Sequence, residues 1–219
     1  MPKVLPWWYW FVRNLVRYTF FQLTGGLRAE GLQNIPKEGP VIVAPNHVSY
    51  LDPPAVACGI TRMLRFMAKE ELFRGIFGRL ISSLGSFPVK RGEGDTDAMR
   101  KAFTALEEGC AVIVFPEGTR GDGVRMLPIN KGVALMAKRT GALILPVGVT
   151  GTHVIKPKGA SGWRRKRITV RFGTPFHYSD ILPDSPERDR REAFAGKLES
   201  EICSLCAQDG YPLLHSIKE

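Results

Sequence analysis

Short apolar runs alternate with amphipathic stretches along most of this chain. "PVIVAP" (40–45), "CAVIVFP" (110–116) and "ALILPVGV" (142–149) are nearly uninterrupted and rich in branched residues, the pattern of strands buried on both faces. "MLRFMAK" (63–69), "SFPVKR" (86–91) and "KRITVRFG" (166–173) predict three further strands. Between them lie helical patterns. "PPAVACGI" follows Asp52, "ELFRGIFGRLISSLG" spans 71–85, and "DTDAMRKAFTALEEG" (95–109) opens on Asp95 or Thr96 as cap and stops at Gly109. "NKGVALMAKRTG" (130–141) closes on glycine, and Ser185-Pro186 opens a last helix running to about Asp209. Strand and helix in alternation predict one α/β domain with a mostly parallel central sheet flanked by helices, over residues 27–219.

The first 26 residues follow another pattern. "PWWYWFVRNLVRYTFFQL" holds three of the four tryptophans and eight of the 21 aromatic residues. A helix from about Pro6 to Thr24 would be roughly 28 Å long, close to the span of a bilayer. Arg13 and Arg17, with Asn14 between them, form a narrow polar stripe near its middle. A central arginine costs roughly 2.5–3.5 kcal/mol on insertion, so two of them argue against spanning. A cleavable leader is not expected either, because arginine interrupts the apolar stretch and no small-residue cleavage site follows. Aromatics on one side and arginines on the other predict a docking helix lying in the headgroup layer; packing on the protein's own core is the alternative.

Charge adds a partner class. Lysine and arginine (31) outnumber aspartate and glutamate (21), for a formal net charge of +10. That excess suits a nucleic acid, a phospholipid surface or a phosphorylated substrate without choosing among them. The four cysteines (Cys58, Cys110, Cys203, Cys206) include one C-x-x-C pair, outside the strand-then-helix context of a redox motif and with no second pair to complete a zinc site. Packed, reduced thiols in a cytosolic setting are expected, and no metal site.

Chemistry concentrates at the ends of the apolar runs. "NHVSYLDP" (46–53) places His47 just past the strand "PVIVAP", where open α/β sheets form their ligand crevices. Asp52 before Pro53-Pro54 reads as a helix cap, but no cap or turn requires His47. Where a loop enters a helix, the carboxylate can hold one ring nitrogen's proton and leave the other nitrogen as a general base. Ser49 sits too near the histidine to be its nucleophile, and no G-x-S-x-G elbow exists. "GSFPVKRG" (85–92) ends a strand on Lys90 and Arg91, two cations or simply a solvated turn. "FPEGTRGDG" (115–123) delivers Glu117, Gly118, Thr119 and Arg120 to a loop. There glycine allows close backbone approach and arginine offers a bidentate fork for phosphate. "LILPVGV" adds Pro146 near the same rim.

Taken in order, N-H-x-S-x-x-D, G-x-F-x-V-x-R, F-P-E-G-T-R and [VIL]-P-V resemble the blocks of the glycerolipid acyltransferases, over residues 46–147. The resemblance implies transfer of a fatty acyl chain from an acyl thioester to the sn-2 hydroxyl of 1-acylglycerol 3-phosphate, giving phosphatidic acid. It implies His47 as base, oriented by Asp52, and substrate binding by Lys90, Arg91, Glu117, Gly118, Thr119 and Arg120. Asn46 would brace the turn. Two positions depart from the pattern: Lys90 stands where members vary, and Gly121 stands where many relatives carry serine. No cofactor is implied beyond the donor substrate, acyl-CoA or acyl carrier protein. The partners implied are the lysophosphatidate and thioester substrates, an anionic membrane surface and, as donor, acyl carrier protein; nucleic acid is not expected. The place implied is the cytoplasmic face of the cell membrane, held peripherally or monotopically. Another acceptor, such as glycerol 3-phosphate or a different lysophospholipid, is the nearer alternative. A non-enzymatic binder of anionic polymers is the distant one, and it leaves His47, Asp52 and "FPEGTR" without a role.

Overall fold

In the computed structural model, which describes residues 4–89, 96–155 and 162–216, the uninterrupted apolar runs lie side by side. They form β2 (Val41–Pro45), β5 (Ala111–Ile113) and β6 (Leu143–Thr150), with β2 between the other two and parallel to both. β3 (Leu64–Lys69) pairs with β5, and β4 (Ser86–Val89) with β3, again in parallel. On the other side β7 (Ile168–Phe172) runs antiparallel to β6, and β1 (Leu27–Glu30) pairs with β7. The sheet order is therefore β1-β7-β6-β2-β5-β3-β4. Five adjacent strands are parallel, as expected, and two of opposite direction close one side.

Burial on both faces explains why the central runs lack alternation. Ile42 and Ala44 of β2 face a core shared with α5 (Thr96–Glu107), α6 (Lys131–Thr140) and α8 (Glu187–Ala207). Val41 and Val43 face a second core built with α3 (Asp52–Gly59) and Phe21. At roughly 1.5–3 kcal/mol per buried aliphatic side chain, these two layers hold the strand ends that carry the site. Edge positions differ: β4 carries Pro88, and β1 carries Arg28 and Glu30, with Glu30 paired to both Arg28 and Arg171.

The elements depart from the sequence expectation where local chemistry interrupts a pattern. The N-terminal helix is two helices, α1 (Pro6–Tyr18) and α2 (Phe20–Thr24). They separate at Thr19, whose hydroxyl donates back to Leu15 O at 2.6 Å. Residues 71–85 divide likewise, into a 3₁₀ turn over Glu70–Phe73 and α4 (Gly75–Ser83), with Arg74 between them and Gly75 at φ +63° opening the second. β1 and α7 (Thr152–Ile155) are too short to declare themselves in the sequence.

α1 packs on α3 with Tyr9 and Val12 buried, and its outer face carries Trp7, Phe11, Leu15 and Tyr18, all more than half exposed. These recur at four- and three-residue intervals, so they form one stripe. Arg13 and Arg17, expected on the side away from the aromatics, lie toward the protein and donate to backbone carbonyls of Ile60 and Cys58. Among the described residues no helix is long and apolar enough to cross a membrane. The four thiols are free.

Candidate active site

The loops that leave β2, β5 and β6 emerge from three neighbouring parallel strands and meet at one end of the sheet. The β2 loop is anchored first by Asn46. Fully buried, its side-chain amide donates to Val149 O at 3.0 Å and accepts from Val149 N at 2.7 Å, pairing as a strand residue would. Asn46 thus carries the register of β2 and β6 one step beyond Pro45, and His47 begins the turn from a fixed point.

His47 Nδ1 lies 3.0 Å from Asp52 Oδ2. A carboxylate accepts, so Nδ1 carries a proton, and in the neutral ring the lone pair is on Nε2. Asp52 sits in the first turn of α3, yet its carboxylate turns back instead of capping the helix ahead of it. Oδ2 also accepts from Val48 N and Ser49 N, both at 2.7 Å. Three donors from one short turn therefore hold a single, fully buried oxygen. The cap reading of Asp52 gives way for this reason: the donors it serves are orphans of the His47 turn. Ser49 is buried and its hydroxyl accepts from Leu51 N at 3.3 Å, which spends it on the turn. The imidazole stacks on Phe115, with ring centroids 4.0 Å apart and 28° between planes, so ring orientation is fixed by contact as well as by hydrogen bond.

The β5 loop locks onto the same turn. Glu117 is buried, and its two oxygens accept from His47 N at 2.7 Å and Leu127 N at 2.9 Å. Burial pushes its carboxyl up to about 7, against the opposing pull of the Leu127 and His47 amides; the charges of Asp52 and Asp122 raise it further. Gly121 N donates to His47 O at 2.8 Å, so both backbone polar groups of His47 are taken by this loop. A β-carbon on Gly121 would stand 3.3 Å from Glu117 Oε2, close enough that the absent side chain keeps the clamp tight. Gly118 has φ +68°, a backbone turn that suits glycine, and Asn130 N donates to Pro116 O as Asn130 caps α6. Gly118 and Thr119 are exposed, and the Arg120 guanidinium lies over the Tyr50 ring, 3.5 Å from its centroid.

A model of the family described as Acyltransferase matches residues 26–150. A 1-acyl-sn-glycerol-3-phosphate acyltransferase of Streptococcus pneumoniae is 30% identical over 90% of this chain and 72% of its own length. The chain belongs to the acyltransferase family. A chloroplastic 1-acyl-sn-glycerol-3-phosphate acyltransferase of Arabidopsis thaliana is 31% identical over 75% of this chain and 47% of that protein. The chain spans less than half the length of the plant relatives LPAT1 of Arabidopsis and BAT2 of Brassica napus. The crystal structure of the 1-acyl-sn-glycerophosphate acyltransferase of Thermotoga maritima superposes with a TM-score of 0.76 at 27% identity, covering 92% of this chain and 79% of that one.

Within this acyltransferase fold His47, Asp52, Glu117, Gly118, Thr119 and Arg120 come together around one turn. Glu117, expected among the substrate-binding residues, instead faces inward because the backbone amides of His47 and Leu127 claim its oxygens. Lys90 and Arg91 lie outside the described residues. Phe115 and Tyr50 are site residues that the sequence reading does not single out, although both stand within the quoted blocks; an aromatic two residues before an acidic one is the available signal. Deeper in, His153 stacks on Tyr211, and the Tyr211 hydroxyl donates to Gly123 O, which ties the C-terminal segment to the loop that bears Arg120.

Proposed function

We propose that this chain transfers a fatty acyl chain from an acyl thioester to the sn-2 hydroxyl of 1-acylglycerol 3-phosphate, forming phosphatidic acid. The observation that carries the reading is the His47–Asp52 contact, which leaves Nε2 as the free lone pair of a ring fixed at the rim of an acyltransferase fold. Nε2 takes the hydroxyl proton as the oxygen attacks the thioester carbonyl. The tetrahedral intermediate then expels the thiolate, and the imidazolium returns the proton to sulfur. No acyl-enzyme is required, because the positioned alcohol is itself the nucleophile. Asp52 stabilises the transient imidazolium.

Arg120, with the open backbone of Gly118 and Thr119 beside it, holds the acceptor's phosphate; Lys90 and Arg91 supply further cations. Glu117 serves by fixing His47. The donor is acyl-CoA or acyl carrier protein, and no cofactor enters the chemistry. Both acceptor and product are lipids, and the outward stripe of α1 supports a monotopic seat on the cytoplasmic leaflet. So do Ile76 and Phe77 of α4, 86% and 56% exposed.

The test is acyl transfer from labelled acyl-CoA to 1-acylglycerol 3-phosphate in mixed micelles, with glycerol 3-phosphate as competing acceptor. His47→Ala is expected to lose about 10²–10⁴-fold in rate while unfolding at the wild-type temperature. Equal product from both proteins would remove His47 from the reaction.

A further inference from the structure

Between Asn46 and Asp52 the chain makes one tight turn, and most of it is buried. Val48, Ser49 and Leu51 face inward and His47 is half-buried, but Tyr50 stands out at 69% exposure. A ring left in solvent on such a turn fills no core. What it touches is the Arg120 guanidinium, whose central carbon lies 3.5 Å from the ring centroid. Carbon atoms in van der Waals contact stand about 3.5–4.0 Å apart, so the two flat groups lie face to face.

Arg120 is otherwise unclaimed. The acidic side chains of its loop are spent on backbone amides: Glu117 on His47 N and Leu127 N, and Asp122 Oδ1 on Val124 N at 2.8 Å and Arg125 N at 3.2 Å. Among the described residues no acceptor holds the guanidinium. A ring restrains this cation in a way that a carboxylate could not. The attraction runs through the π face, perpendicular to the plane of the N–H donors, so the fork is oriented while its donors stay free. A carboxylate in the same place would neutralise the charge and occupy the edge that a phosphate needs.

Tyr50 also belongs to the turn that carries the base. It stands three residues after His47. The chain between them is tied by Val48 N and Ser49 N to Asp52 Oδ2, and Leu51 N donates to Ser49 Oγ just beyond. A fork resting on this ring keeps a set separation from His47. We propose that Tyr50 is a positioning residue for the acceptor: it presents Arg120 to the phosphate with the donors unspent and fixes the separation of phosphate and base. The proposal rests on the acyl-transfer reading above.

The experiment compares wild type with Tyr50→Leu, Tyr50→Phe, Arg120→Ala and Tyr50→Leu/Arg120→Ala. Calorimetry with dodecyl phosphate, kept below its micellar concentration, reads the fork without any acyl transfer. Values of kcat and KM come from acyl-CoA and a short-chain 1-acylglycerol 3-phosphate dissolved as monomers. Tyr50→Leu is expected to weaken dodecyl phosphate binding and to raise KM, each about tenfold, with kcat changed less than about twofold and the melting temperature kept. Tyr50→Phe keeps the ring and is expected to recover binding to within about twofold of wild type. In the Arg120→Ala background Tyr50→Leu should add nothing, because the ring then has no fork to hold. Additive losses across that cycle would overturn the proposal and show that the ring meets the ligand directly. A fall in kcat at unchanged KM overturns it too, since Tyr50 would then be a support of the dyad. Wild type that does not bind dodecyl phosphate also overturns it. Wild type that binds dodecyl phosphate yet transfers no acyl chain refutes the acyl-transfer reading instead, and the calorimetric cycle still decides the role of Tyr50.

Discussion

The turn around His47 and the outer face of α1 solve opposite problems with opposite materials. At the turn a buried carboxylate gathers a ring nitrogen and two amides, and a second buried carboxylate gathers two more amides from separate loops. Apart from Asp52 Oδ1 and His47 Nε2 the polar groups named there are committed, so the geometry is fixed before any ligand arrives. On α1 the pattern of a surface helix is inverted, with arginines inward and aromatics outward. Nothing in the described chain covers those rings. Hydrogen bonds fix the inside, while apolar surface is left unspent outside.

Breaking the inner region is expected to give the largest effects. Asp52→Ala removes the acceptor of three donors and should lower acyl transfer by about as much as loss of His47, about 10²–10⁴-fold, with loss of stability from the two unpaired amides. Asp52→Asn can present its carbonyl oxygen to the same three donors, because Oδ1 accepts from no donor among the described residues. Its rate should fall by less, about 10²-fold, and side-by-side kinetics and melting would separate the carboxylate's charge from its geometry.

Glu117 tests the clamp through pH. Its folded-state carboxyl is raised from an ordinary 4.5 to about 7, so ionisation is disfavoured in the folded chain. The stability linked to it is full below about 4.5 and is lost as pH rises through about 7, amounting to roughly 3 kcal/mol. Glu117→Gln should carry a constant penalty for placing an N–H₂ against an amide donor, and lack this slope. Denaturant unfolding of both proteins at pH 5 and pH 8 reads the difference; parallel pH profiles would remove Glu117 from the linkage.

The outer region predicts the smallest single effect. Trp7→Ser or Phe11→Ser should weaken vesicle sedimentation about tenfold for each ring, from roughly 1.5 kcal/mol of apolar burial per side chain, and leave the monomeric-acceptor rate intact. A drop in melting temperature instead would show that the stripe packs on protein.

Much of this was legible in the sequence because buried runs and motif spacing are local properties. β2, β5 and β6 announced themselves through uninterrupted apolar residues, and His47 stood out because no turn requires it. What stayed hidden depends on partners far along the chain. The role of Glu117 needs Leu127 and His47 beside it, and β1 needs β7 to be a strand at all. The facing of Arg13 and Arg17 was hidden for the same reason: periodicity says which residues share a face of a helix, not which face looks inward. The stop at Thr19 comes from one hydroxyl that helical periodicity does not register.

The margins of the sheet have a consequence for the surface seat proposed above. Confinement to two dimensions raises encounter rates between neighbours, and an open strand edge is a template for addition of another chain. β4 ends the sheet, and four of its residues are described, among them Pro88, which has no backbone hydrogen to offer. β1 ends it on the other side, with the Arg28–Glu30 pair at its rim. A proline at one margin and a charged pair at the other work against pairing with a further strand. Addition of a further strand at either margin is therefore disfavoured.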